Sequence, residues 1–223
     1  MRTALRGLCW RDLNSALVEQ SNSTRGRIAS SYFSTTSSNH GTDSKDIIDG
    51  CLRVDHVSVQ AVASFFKGMA ITRRHAPDIQ SALEVEQQFK ENVSDLMHAS
   101  SSRPSLLQPV TQACFGAAGL LVGATARATE RDSVVAGIYD ALVDVYTDQL
   151  REIRESGSKD DTKIRVLLRK LRDVHESSLP DGTLPIPDVV SLSSSDSHIQ
   201  PSQYASLLAK EATLRVLHLS KTL

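Results

Sequence analysis

Residues 78–99 read DIQSALEVEQQFKENVSDLMHA, and their spacing decides the fold. Ile79, Leu83, Glu86, Phe89, Val93 and Leu96 recur at three- and four-residue intervals. That period lines side chains along one face of an α-helix. One member of the stripe, Glu86, is a carboxylate. On a buried face it needs a partner or a metal, or else it gives up its charge. At an exposed edge it would simply reach water.

The same period extends to both sides. Upstream, residues 45–74 carry Ile47, Cys51, Val54, Val62, Phe65 and Met69 in a 4-3 rhythm, with Ser58 in the gap, and Pro77 ends the run. Downstream, residues 105–126 contain no charged side chain. A bilayer takes roughly 20 apolar residues. Here Gln108, Pro109, Thr111 and Gln112 dilute the first half, and Gly and Ala fill the second. A buried helix with close backbone approach, or one lying in a membrane interface, fits this composition better than a span.

A fourth helix is expected over 132–155, with Val135, Ile138, Leu142, Val145, Gln149 and Ile153 inward. Asp140, Asp144 and Asp148 form a row at i, i+4 on another face, read as a solvated face because like charges at that spacing mildly repel. A fifth helix over 160–178 points Ile164, Leu167, Leu168, Leu171, Val174 and His175 inward. The spacing makes His175 a core histidine with a hydrogen-bond partner. Residues 179–202 are rich in Pro and Ser and read as a loop or insertion. A last helix runs from Pro201, with Tyr204, Leu207, Leu208, Ala212 and Leu219 as candidate core. Strand-like alternation is rare throughout. An all-α, up-down helical bundle follows.

Composition excludes several classes. The chain has 223 residues, a net charge of −1 and 4% aromatic residues. Nothing in that balance points to nucleic acid. Cys9, Cys51 and Cys114 are odd in number and widely spaced. They suggest buried thiols and neither a disulfide framework nor a structural zinc site. Residues 1–44 differ from the rest. Arg2, Arg6, Arg11, Arg25 and Arg27 outnumber Asp12, Glu19 and Asp43, Ser and Thr are dense, and Leu5, Leu8, Leu13 and Leu17 can share a helix face. That pattern fits a mitochondrial transit peptide, removed between about Arg27 and Ser38. The body is then 45–223.

Several segments, in order, resemble one family. Leu52-Arg53-Val54-Asp55-His56 is similar to the opening R-V-D-H-A-G-E motif of the demethoxyubiquinone hydroxylases of ubiquinone biosynthesis. Phe66-Lys67-Gly68 resembles their Y-A-G, and Arg103-Pro104-Ser105-Leu106-Leu107-Gln108-Pro109 resembles R-P-T-x-L-x-P. Tyr146-Thr147-Asp148-Gln149-Leu150 resembles Y-N-N-Q-I, and Leu171-Arg172-Asp173 resembles F-R-D. The closing segment from Leu217 to Leu223 resembles Y-L-S-E-R-L. The resemblance implies a ferritin-like bundle with one extra apolar helix, lying at the matrix side of the mitochondrial inner membrane. It also implies a di-iron cofactor, a quinone lipid, peripheral membrane association, and partnership with other ubiquinone-biosynthesis proteins, including a lipid-binding partner.

Di-iron bundles of this type use a Glu from each of two helices and a Glu-x-x-His from each of two others. On this sequence the resemblance puts the first Glu at Val59, the second-helix pair at Glu86 and Phe89, the next Glu at Tyr139, and the last pair at His175 and Ser178. Only Glu86 matches, so it is the one candidate metal ligand. A register shift of one residue would recruit Asp140 and Glu176, but turns each about 100° from the shared face. The expectation is a degenerate family member with no cofactor and no catalytic residue, acting in quinone binding or as a scaffold. The alternative is an active monooxygenase with a rebuilt di-iron site. A third reading is an unrelated membrane-associated helical protein.

Overall fold

The computed structural model describes residues 44–74, 76–156, 162–179 and 200–222. The expected leader lies outside the described residues, and so does most of the expected insertion, of which only Leu179 and 200–202 are described. Six helices run through the described residues: α1 (Ser44–Thr72), α2 (Pro77–Ser100), α3 (Gln108–Thr125), α4 (Ala128–Ser156), α5 (Thr162–Ser177) and α6 (Pro201–Thr222). No strand occurs among the described residues, and no helix there is long and apolar enough to cross a membrane.

Local chemistry sets the boundaries. Pro77 opens α2 after Ala76 in extended backbone. Its fixed φ suits the first turn, where the missing N–H is no loss. At the other end Ser101 adopts a left-handed φ of 57°, and the amides of Ser101 and Ser102 donate to the carbonyls of His98 and Met97. That closes the last turn as a glycine cap does, but on a residue with a Cβ. Glu130 Oε2 accepts from the Arg127 amide and helps to start α4.

α1 is the central helix. It packs on α2, α3, α4 and α6, while α4 also packs on α5 and α6. From Leu52 to Phe66 nearly every side chain of α1 is buried, including Asp55, His56, Ser58 and Gln60. The 4-3 stripe therefore describes one face of a helix that is covered on all sides.

α3 meets α1 along a seam of glycines. A Cβ on Gly119 would overlap the Phe65 carbonyl oxygen, and one on Gly68 would overlap that of Gly116. Only glycine lets the backbones approach so closely. Arg73 Nε donates to the Gly123 carbonyl at 2.9 Å and secures the end of α3. The outer face of the α3 segment is apolar and open, with Leu106 at 81%, Val110 at 60% and Leu121 at 61% exposure. Cys51 is buried as expected, but Cys114 lies exposed on α3.

Two other expectations are corrected. In α6 the buried residues are Ser206, Leu207, Thr213, Leu217 and Ser220. Tyr204, Leu208, Ala212 and Leu219 are exposed. The small side chains face inward because Gly137 of α4 sits against the Ser206 backbone, where bulky groups do not fit. The aspartate row of α4 is not a solvated face. Lys210 of α6 reaches Asp140 at 2.6 Å and Asp144 at 2.7 Å, and Arg151 bonds Asp148 at 2.8 Å.

Candidate functional site: a buried polar centre between the helices

Glu86 from α2 and His175 from α5 meet inside the bundle, each with a side chain 1% exposed. His175 Nε2 lies 3.0 Å from Glu86 Oε1, and its Nδ1 lies 2.7 Å from the Leu171 carbonyl one turn back. A carbonyl only accepts, so Nδ1 carries a hydrogen. Aromatic rings enclose the imidazole. Tyr139 lies at 4.9 Å, Tyr146 at 5.8 Å and Phe89 at 5.9 Å between ring centroids. Phe66 packs on Tyr139 in turn.

Both phenols stay protonated well beyond their usual range. Burial raises the Tyr139 pKa, and the neighbouring Glu86 carboxylate raises it further. Burial likewise raises Tyr146, with Asp55 and then Glu86 adding to it. Ser58 Oγ donates to the Asp55 carbonyl at 2.8 Å. Tyr146 therefore donates to Ser58 Oγ across 3.1 Å and ties α4 to α1.

Asp55 is fully buried, and neither of its carboxylate oxygens has a hydrogen-bond partner. Burial pushes its pKa from 3.8 to about 8, against a weaker downward pull from the Gln149 amide. Gln149 Oε1 is also unpartnered, while Nε2 donates to the Cys51 carbonyl. A carboxyl so deeply buried keeps its proton. On the opposite side of α1, Gln112 Nε2 donates to Gln60 Oε1 at 2.7 Å, and Gln60 Nε2 approaches His56 Nε2 at 3.4 Å. Burial holds His56 below its usual pKa, with the Lys90 and His98 charges adding to the effect.

The structure thus brings together Glu86, His175, Tyr139 and Phe89, four of the six positions the family resemblance singled out. Val59 is buried in α1, and Ser178 is exposed just beyond α5. Asp140 and Glu176 do not join the centre: Asp140 bonds Lys210, and Glu176 is exposed. No group of three or more His, Cys, Asp or Glu side chains suited to a metal occurs among the described residues. Sequence reasoning missed Asp55 and the two tyrosines as members of one polar network. Asp55 lies inside a run buried on every side, so no stripe set it apart.

A bundle whose central helices converge on buried polar side chains, with a further apolar helix laid along α1, is a ferritin-like helical protein. Its family is that of ubiquinone biosynthesis protein COQ7: the family model matches residues 46–178, and the chain belongs to this family. The match spans α1 to α5, so α6 lies outside it. No curated protein matches the chain. Family membership gives the protein a role in ubiquinone biosynthesis.

Proposed function

We propose that the protein serves ubiquinone biosynthesis as a quinone-binding or scaffold member of its family, without oxygen chemistry. One observation carries this reading. Where two irons would need four carboxylates and two imidazoles, the side chains at the corresponding positions are Val59, Glu86, Phe89, Tyr139, His175 and Ser178. Val59 and Phe89 cannot ligate. Tyr139 is a buried phenol that holds its proton, and both ring nitrogens of His175 are engaged. This donor set does not fit a di-iron cofactor, and Glu86 alone is no metal site. An active hydroxylase would have to rebuild the centre with Asp140 and Glu176, and neither reaches it.

The reading places the protein in mitochondria, at the matrix face of the inner membrane. The uncharged outer face of the α3 segment, with Leu106, Val110 and Leu121, is suited to peripheral contact with lipid. Other ubiquinone-biosynthesis proteins, including a lipid-binding partner, are the expected company. The test is metal analysis of the purified protein together with quinone extraction from the same preparation. Co-purified quinone with no stoichiometric iron supports the proposal. Stoichiometric iron, or restored ubiquinone synthesis in cells lacking the hydroxylase, refutes it.

A further inference from the structure

We infer that the Glu86–His175 pair replaces metal ions as the cross-link between α2 and α5, so that the bundle closes its own polar centre and takes up no divalent cation there. The inference rests on the functional reading above and extends it to what fills the centre. α2 and α5 otherwise touch little, whereas α1–α3 and α4–α6 meet along extended seams. Among the described residues they are joined by the contact of Glu86 Oε1 with His175 Nε2 at 3.0 Å and by the looser approach of Lys170 Nζ to the Phe89 ring at 5.9 Å.

Donor and acceptor logic completes the picture. Nδ1–H is committed to the Leu171 carbonyl at 2.7 Å. Glu86 Oε1 and His175 Nε2 must therefore share one hydrogen, as imidazolium with carboxylate or as imidazole with carboxylic acid. In either form the shared hydrogen occupies the Nε2 direction, and a metal would have to displace it and break the bond to Glu86. Tyr139, Tyr146 and Phe89 cover the imidazole and leave it no room to swing away.

The test is a double-mutant cycle, read by urea unfolding, with Glu86→Leu, His175→Leu and the double variant. Each single change strands a buried polar partner, so each should raise the unfolding constant on the order of a hundredfold or more. The double variant strands neither member of the pair and should be far more stable than the two losses multiplied together. Should a single variant fail to fold, Glu86→Gln carries the test, because its amide can still donate to Nε2. It should keep the fold and lose at most about tenfold in stability. Mn2+, Fe2+ and Zn2+ should leave the melting temperature of the unmodified protein unchanged. Multiplicative single losses would overturn the inference, as would loss of folding in Glu86→Gln. A metal-induced rise in melting temperature that Glu86→Gln abolishes would overturn it too. Multiplicative losses without metal uptake defeat only the cross-link, whereas stoichiometric iron defeats the functional reading as well.

Discussion

Asp55 should make the protein less stable as the pH rises, and Asp55→Asn should remove that dependence. The carboxyl is fully buried, with its pKa pushed from 3.8 to about 8 by burial. Between those values the unfolded chain has released the proton and the folded chain keeps it, so rising pH favours unfolding. Each pH unit costs about 1.4 kcal/mol. The contribution is complete below pH 3.8, falls through the interval, and levels off above about 8. At pH 7 the loss relative to acid amounts to about 4 kcal/mol, a large share of the ~5–15 kcal/mol typical of a domain. Asparagine has nearly the same shape and cannot ionise. Urea unfolding at pH 5, 6, 7, 8 and 9 on both proteins gives the test, because other titrating groups cancel in the difference. The variant should gain on the parent by about 3–4 kcal/mol between pH 5 and pH 9. A difference that stays constant over that range would show that Asp55 holds no proton in the fold, and the reasoning would fail.

Other expectations follow from packing and capping. Gly119→Ala should cost about 2 kcal/mol or more, because the added methyl meets the Phe65 backbone, which cannot yield like a flexible side chain; thermal unfolding reads it. Ser101→Gly should stabilise by about 1 kcal/mol in urea unfolding, since the left-handed φ of 57° penalises a side chain. Lys210→Met should lose about 1 kcal/mol at low salt and less at high salt. Burial alone would lower the Lys210 pKa, but Asp140 and Asp144 together raise it, and without the lysine those two aspartates repel at i, i+4.

Much of this fold is legible in the sequence because helices with one buried stripe write their period plainly. α2, α4 and α5 carry such stripes, and most residues the spacing names are buried, with Val135, Leu167, Val174, Leu83 and Leu96 only half-buried; it passes over Met97 of α2 and over Ala136, Tyr139, Ala141 and Tyr146, because α4 is buried on more than one face. α6 misleads because its contact with α4 depends on Gly137 and Ser206, and small residues leave no hydrophobic signal. The exposed Tyr204 and Leu208 then look like core. Glu86 and His175 each stand out as polar groups on apolar stripes, yet their pairing spans 89 residues of chain. No spacing rule connects two helices that far apart.

The same geometry bears on where function can reside. Between α2 and α5 the Glu86 carboxyl group and the His175 imidazole are bonded to each other, and rings occupy the space around them. The α1–α3 seam is closed by backbone contact at Gly68, Gly119 and Gly123, so nothing the size of a quinone ring passes between those helices. What stays open is surface, and one apolar stretch of it is the outer face carrying Leu106, Val110, Cys114 and Leu121. α1 anchors that face through the glycine seam and the Gln60–Gln112 bond, independently of any metal. A family member can therefore lose its ligands and still present the same rigid apolar helix, provided the vacated positions are filled by groups that need no ion. On the proposed reading Val59, Phe89 and Tyr139 are such groups, and the Glu86 carboxylate has its counterpart in His175.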